Sequence, residues 1–365
     1  VRVERCWLTD VRSYGEALVE LHPGRTLVTG RNGQGKTNLV EALSFLATLS
    51  SFRQVPSEAM VRTGADRAVI RAEVRHDDGR EVLVEVEIPR RGRIRAQVNR
   101  QRVARIRDLL GVLRVTVFSP DDLDLVKGGP GVRRAFLDEV LVSRQPALDR
   151  LVGDLDRILR QRASLLRQMA GRTTPETLLT LDVWDTKLAA VGDELGRARS
   201  ALVADLAPVV AEAYGLLAGT PGTARLRYEP AWLADGLGPA LAACRSEDLR
   251  RQSTGVGPHR DDLEIVLGGM PARSHASQGE QRSLALALRL GAHRLVAARV
   301  GEQPVLVLDD VFSELDARRS EALVAALPPA QVLLTTAGLL PDGLHVDRRL
   351  WIEGSTITDT APESV

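Results

Sequence analysis

Between Thr29 and Asn38 the chain reads Gly30-Arg31-Asn32-Gly33-Gln34-Gly35-Lys36-Thr37, a pattern few folds can use. A short β-prone run, Arg25–Thr29, leads into it. The segment 36–47 follows, with Leu39, Val40, Leu43, Leu46 and Ala47 at helical spacing. Strand, glycine-rich turn and helix in this order make the phosphate-loop pattern G-x-x-x-x-G-K-[ST]. The glycines let backbone N–H groups wrap inward around phosphate oxygens, and the new helix adds its partial positive charge. Lys36 reaches the outer phosphates and the Thr37 hydroxyl suits a Mg²⁺ ion. Polyphosphate contacts are thus expected from Gly30, Arg31, Asn32, Gly33, Gln34, Gly35, Lys36 and Thr37. Of 49 basic residues only three are lysines, Lys36, Lys127 and Lys187, so a lysine at this position is informative.

A second feature complements the loop. Pro304–Leu308 is an apolar run that ends in Asp309-Asp310. Two carboxylates at the end of a buried strand are costly to desolvate unless a cation lies beside them. Asp309 is the expected metal ligand, directly or through water. Asp310 lies one step on, on the other side of the pleat, and is the candidate for polarising an attacking water. Together the two motifs imply a Mg²⁺-bound ATP or GTP.

A third motif precedes a long helix. Ser277-Gln278-Gly279-Glu280-Gln281 resembles the signature of ABC-type ATPases. A serine hydroxyl, a glycine N–H and a helix start form an anion-binding surface, and Ser277 also serves as a helix cap. The ABC resemblance implies that Ser277 and Gly279 close on the γ-phosphate held by a second copy of the chain. That makes Ser277 catalytic beside Lys36 and Asp310. Ser313-Glu314-Leu315-Asp316 resembles the D-loop that crosses the same interface.

Strands are expected at 68–74, 81–88, 94–98, 101–103 and 115–118, with Asn99-Arg100 as a hairpin turn. Leu148, Leu151, Leu155, Ile158 and Leu165 share a helix face. Thr173-Thr174-Pro175 breaks the chain before a heptad stripe of Leu181, Trp184, Leu188, Val191, Leu195, Ala198 and Leu202. The two helices form either a short antiparallel arm or part of a helical lobe. Alternating strands and helices after Ser253 (263–267, 281–299, 304–308, 331–335) imply a mostly parallel sheet, and the tail after Trp351 is expected to fray. Three parts follow: an ATPase part with the phosphate loop (1–118), a helical lobe or arm (119–255), and a C-terminal ATPase part with signature, Asp309-Asp310 and D-loop (256–365).

The chain has 365 residues, is 44% hydrophobic and carries a net charge of +1, so DNA contact needs a local patch. Its two cysteines, Cys6 and Cys244, fit neither a disulfide framework nor a zinc site, and a reducing cytoplasm is expected. No uninterrupted apolar run approaches the ~18 residues of a membrane span, and the first residues lack a signal-peptide layout. No membrane partner is expected.

Three further segments resemble the RecF family of SMC/Rad50-like ABC-type ATPases. They are Gly30–Asn38 followed by Leu49-Ser50-Ser51-Phe52-Arg53; Pro120-Asp121 through Gly128-Gly129-Pro130 to Arg133-Arg134-Ala135-Phe136-Leu137-Asp138; and Gly257-Pro258-His259-Arg260-Asp261-Asp262. The resemblance implies an α/β fold: an ABC/Rad50-like P-loop ATPase head with an inserted helical lobe or short antiparallel helical arm. It also implies ATP-dependent dimerisation, DNA binding, slow ATP hydrolysis, and action with RecO and RecR in placing the RecA recombinase at single-strand gaps. By analogy with SMC heads, Arg53 is a candidate nucleotide sensor or else a surface ion pair. Arg12 is a candidate near the adenine. His259 and Arg260 are motif residues with either a packing role or one no residue pattern defines. Asp310 stands where the superfamily has glutamate, and Thr335 or Thr336 where it has a switch histidine. Ser119-Pro120 occupies the Q-loop region.

A transporter subunit would not place about 240 residues between Lys36 and Ser277, and an SMC tether needs far more coiled coil. A structural ATP clamp with negligible hydrolysis stays open because of Asp310. Arg90, Arg91, Arg93, Arg95, Arg100, Arg102, Arg105 and Arg107 crowd one stretch, where alternation places Arg93, Arg95 and Arg102 on one side. That side is either a phosphate-tracking face for duplex DNA or an ordinary solvated surface. With aromatics at 3%, stacking on single-strand bases is poorly supplied.

Overall fold

The computed structural model describes residues 1–169, 173–219 and 224–359. Two compact units divide the chain: Val1–Leu123, Glu212–Gly222 and Ser277–Val365 form the first, and Asp124–Ala211 and Thr223–Ala276 the second. The strands are β1 (Arg2–Val11), β2 (Tyr14–Glu20), β3 (Arg25–Thr29), β4 (Arg67–Arg75), β5 (Glu81–Pro89), β6 (Arg95–Val98), β7 (Gln101–Arg102), β8 (Val115–Phe118), β9 (Ala224–Arg227), β10 (Glu264–Leu267), β11 (Met270–Pro271), β12 (Val305–Asp309), β13 (Val332–Thr336), β14 (Arg348–Glu353) and β15 (Thr356–Thr358). The helices are α1 (Lys36–Thr48), α2 (Asp124–Lys127), α3 (Pro130–Arg144), α4 (Asp149–Gln168), α5 (Pro175–Ala218), α6 (Leu237–Arg251), α7 (Ala272–His275), α8 (Gln278–Val300) and α9 (Ala317–Ala326).

The first unit holds two six-stranded sheets. One runs β2-β1-β4-β5-β6-β7 and is antiparallel. It alternates cleanly: on β4, Ala68, Ile70, Ala72 and Val74 are buried while Arg67 and Arg71 face water. Asn99 and Arg100 both take left-handed φ, +52° and +64°, as a two-residue hairpin turn requires. The other sheet runs β15-β14-β3-β13-β12-β8 and is parallel except for its last hairpin. Every residue of β12 and β13 is buried, as central parallel strands demand. Parallel strands end on one edge, so the loops after β3, β8, β12 and β13 gather there, where such sheets bind ligands. One apolar core includes Leu8, Phe45, Ile70, Val86 and Val307. Cys6 is part of it, and burial pushes its thiol up to about 12. Beyond Trp351 the chain is ordered through the β14–β15 hairpin, against the expected fraying; 360–365 lie outside the described residues.

The second unit packs its helices with a three-stranded sheet, β11-β10-β9. Leu181, Leu188, Leu195 and Leu202 are buried, so the expected stripe is the packed face of α5. Leu166 and Met169 meet Leu181 and Leu178, and Leu249 of α6 joins them. As α4 advances α5 recedes, so the pair is antiparallel, and α6 makes it a three-helix packing. By length and composition α5 could cross a membrane: an 18-residue window has mean hydropathy 1.6, with 39% of it buried. The expectation concerned an unbroken apolar run, whereas this window qualifies on its average. Asp205 and Glu212 break any uninterrupted apolar run, but alanines and valines keep the average high.

Candidate functional site

β3 runs into Gly30, where φ is +148° and an added Cβ would stand 2.3 Å from the Ile352 carbonyl oxygen. Only glycine lets the chain leave the sheet there. The Tyr14 hydroxyl donates to the Gly35 carbonyl at 2.9 Å, just before α1. Gln34 Oε1 accepts from the Gly354 N–H at 2.6 Å, which ties the loop to the β14–β15 turn. Arg31, Asn32 and Gly33 are exposed along the loop's crest. Lys36 is buried, and its Nζ donates to the carbonyls of Gly30 (2.6 Å) and Arg31 (3.0 Å). Burial lowers its pKa, while the charges of Asp310 and Asp309 oppose that shift.

The expected metal ligands meet. Thr37 Oγ1 donates to Asp309 Oδ1 at 3.1 Å, and Thr335 Oγ1 donates to the same oxygen at 2.6 Å. Burial raises the Asp309 pKa; the bonds from Thr335 and Thr37 oppose this, Asp310 adds to it and Arg53 opposes it. Asp310 is left-handed, with φ +51°, and its N–H donates to the Thr335 carbonyl and hydroxyl at 3.1 Å each. Asp310 Oδ1 is buried with no hydrogen-bond partner among the described residues. A left-handed backbone and an orphaned carboxylate oxygen coincide here beside Lys36 and Asp309, although each occurs elsewhere in the chain as well. Among the described residues no three His, Cys, Asp or Glu converge as a metal cluster. That suits Mg²⁺, which takes one or two carboxylates and fills its shell with phosphate and water oxygens. The donor set, Thr37 with Asp309 and a free oxygen on Asp310, fits it. Thr335 makes the contacts at the switch position, whereas Thr336 Oγ1 accepts from the Gly338 N–H at 3.0 Å.

The sequence reading missed Glu41. It lies on α1 with no exposed surface. Arg12 forks onto it at 2.9 and 2.6 Å, Ser51 Oγ donates to it, and Arg53 Nη1 stands 3.7 Å away. The clue was a carboxylate within an otherwise apolar helix. Arg12 is clamped, while Arg53 is held loosely and bears electrostatically on Asp309.

Ser277 caps α8 through a capping box: Glu280 Oε2 accepts from the Ser277 N–H and Oγ, each at 2.7 Å. Ser277 is exposed, and neither it nor Gly279 bonds to the 30–37 loop among the described residues. Ser313 Oγ donates to the Asp310 carbonyl at 2.7 Å, linking the D-loop-like segment to β12.

In the second unit two RecF-like segments interlock. Arg133 forks onto Asp262 at 2.7 and 2.8 Å, and Arg134 donates to the Asp261 carbonyl at 2.7 Å. Arg199 forks onto Asp138 at 2.8 Å twice and donates to the Pro258 carbonyl at 2.7 Å. The Asp261 carboxylate accepts from Tyr228 (2.6 Å) and Trp232 (2.8 Å). His259 and Arg260 both reach the Thr254 carbonyl at 3.1 Å, and burial lowers the His259 pKa.

On the arginine-rich hairpin the register pairs Gln97 with Arg102 and Glu87 with Arg95, which puts Arg95 and Arg102 on one face. Arg93 precedes β6 and is exposed. Glu87 sits between Arg95 (3.0 Å) and Arg67 (3.1 Å), so part of this face is a ladder of opposite charges.

The family described as RecF/RecN/SMC N terminal domain matches residues 2–337. "DNA replication and repair protein RecF" of Streptomyces avermitilis is 46% identical over 96% of this chain and 97% of its own length. The protein of the same name from Kineococcus radiotolerans is 46% identical over 93% and 95%. A solved structure of the recombination mediator protein RecF with ATPrS, in the RecFOR pathway, superposes with a TM-score of 0.90 at 27% identity, covering 99% of this chain and 98% of that one. A Smc head domain from Pyrococcus furiosus, at TM-score 0.56 and 16% identity over 97% and 94%, shares the fold.

Proposed function

This chain belongs to the RecF family of DNA replication and repair proteins, and on that premise we propose that it is an ATP-driven, DNA-binding dimer that hydrolyses ATP slowly. One observation carries the reading. The phosphate loop and the Thr37–Asp309–Asp310 group occupy one sheet edge, while the exposed Ser277 has no bond to them. In the ABC resemblance a second copy brings the partner's Ser277 to the substrate, and the exposure of Ser277 supports that reading.

ATP is the substrate. Lys36 exchanges the Gly30 and Arg31 carbonyls for β- and γ-phosphate oxygens, and the loop N–H groups hold the chain of phosphates. Thr37 and Asp309 would hold Mg²⁺, which when bound neutralises phosphate charge. Asp310 Oδ1 is the acceptor that aligns a water with the γ-phosphorus; the water's O–P bond forms as the β–γ bridge breaks, and its proton passes by way of Asp310 to the departing phosphate or solvent, leaving ADP and phosphate. Aspartate reaches less far than glutamate, so turnover is slow. Arg53 is free to shift from Glu41 toward the substrate and report its presence. The partner's Ser277 hydroxyl and Gly279 N–H close the γ-phosphate, with the Ser277 hydroxyl turning away from Glu280.

The dimer acts in the cytoplasm on duplex DNA near single-strand gaps, with RecR and RecO, to help load RecA. Membership of the family supports this placement, as does the likeness to the ATPrS-bound RecF, a recombination mediator of the RecFOR pathway. Ser277→Arg should abolish ATP-driven self-association and turnover, measured by light scattering and phosphate release, yet leave nucleotide binding intact. Unchanged association would end the composite-site reading. Asp310 also favours a second reading, a clamp with negligible hydrolysis: ATP-driven dimers without detectable phosphate release on gapped DNA would select it.

A further inference from the structure

Two arginines cross-link the signature helix to the segment after β12. From α8, Arg282 Nη1 donates to the Glu314 carbonyl at 2.7 Å and its guanidinium pairs with the Glu314 carboxylate. From α9, Arg319 Nε donates to Ser283 Oγ on α8 at 3.1 Å, while Nη1 pairs with Asp316. The Arg319 guanidinium lies flat over Gly279: a Cβ there would be 2.7 Å from Nη2, 2.9 Å from Cζ and 3.0 Å from Nη1. A side chain at 279 would require the Arg319 guanidinium to move. A cation beside a helix N-terminus opposes the helix dipole, so its placement calls for compensation, which Asp316 supplies. Arginine serves Ser283 through Nε and Asp316 through Nη1, two separate donors of one rigid fork.

We propose that Arg319 is a positioning residue of the Ser277–Gly279 surface, acting on the triphosphate held by the partner protomer and not on the one held by its own. This rests on the composite-site reading above. It is not what sequence order suggests, since Arg319 closely follows Asp309-Asp310. Arg282 acts in the same direction from the other side of the cross-link.

Mixed dimers of the full chain, with ATP and duplex DNA, test the assignment. Arg319→Ala alone lowers turnover about 10- to 100-fold, the cost of a misplaced contact. Lys36→Ala alone is inactive. In a mixed dimer both lesions fall in one composite site if Arg319 acts on the partner's triphosphate. The other site stays intact, so an equal mixture recovers about a quarter of wild-type turnover, the share of whole sites in random pairing. Recovery also demonstrates that Arg319→Ala is folded. Arg282→Ala mixed with Lys36→Ala gives the same recovery. Ser277→Ala, which removes the hydroxyl without adding bulk at the interface, mixed with Lys36→Ala is the control. Recovery with Ser277→Ala but none with Arg319→Ala or Arg282→Ala overturns the proposal and spares the composite site. Mixed dimers that form by light scattering yet show no recovery in any mixture overturn the composite site itself.

Discussion

Each unit buries a cluster of charge, and the two clusters are finished differently. Around Arg133, Arg199 and Asp261 in the second unit, each guanidinium forks onto a carboxylate or reaches a carbonyl, and Asp261 is met by Tyr228 and Trp232. At the parallel-sheet edge of the first unit, among the described residues, Asp310 Oδ1 has no hydrogen-bond partner, Asp309 is shifted by burial, and Lys36 donates to carbonyls of its own loop. Incomplete pairing of buried polar groups destabilises a fold, so it persists where a ligand completes the set. The division is one of degree, since among the described residues His259 Nδ1 in the 257–262 segment is also buried without a partner. On the proposed function the phosphate edge binds, while the pairs between segments 133–138 and 257–262 tie a lobe together.

The largest expected effect comes from breaking the lock. Arg199→Ala strands Asp138 and the Pro258 carbonyl, and removing one partner of a buried pair typically costs about 3–5 kcal/mol. Urea unfolding should register that loss, with nucleotide affinity of the folded fraction unchanged. A loss below about 1 kcal/mol would make this cluster ordinary surface pairing.

The opposite sign is expected at the phosphate edge. Asp309→Asn removes the buried charge but keeps an oxygen for Thr37 and Thr335. Without nucleotide or metal it should stabilise the protein by about 1 kcal/mol at neutral pH, as relief of an active-site compromise commonly does, while turnover is lost. The gain should depend on pH. Burial raises the Asp309 pKa, so the folded protein takes up this proton more readily than the unfolded chain. The penalty is full above the raised pKa and fades as pH falls through it. Thermal melts of both proteins should therefore converge toward acid; a gap that widens toward acid contradicts the assignment.

The sequence made the phosphate edge legible because its chemistry is local: the Gly30–Thr37 loop and the Asp309-Asp310 strand end each declare themselves within a few residues. β3 to β8, β12, β13 and the α5 stripe were likewise readable from period and turn residues, whereas β1, β2 and the β14–β15 hairpin were not named and the tail was expected to fray. What stayed hidden depends on long-range pairing. Glu41 gathers Arg12, Ser51 and Arg53, which stand 29, 10 and 12 positions from it. Arg162 and Arg199 are almost wholly buried, although arginine ordinarily reads as surface. His259 and Arg260 both reach the Thr254 carbonyl, five and six residues back, a contact that no residue pattern announced.

The smallest effect carries the comparison to the proposed DNA face. Arg95 is bound to Glu87, whereas Arg102, on the same face, has no ion pair among the described residues. Releasing Arg95 from Glu87 to meet a phosphate forfeits part of what is gained, so a paired arginine contributes less to counterion release than an unpaired one. If duplex DNA tracks this face, Arg102→Ala should flatten the slope of log affinity against log salt by about 1. Arg95→Ala should flatten it by less, with stability changing by under about 0.5 kcal/mol for this exposed pair. Equal slopes for the two variants would mean that pairing within the protein does not decide which arginines serve DNA. A wild-type slope in both would move the DNA off this hairpin altogether.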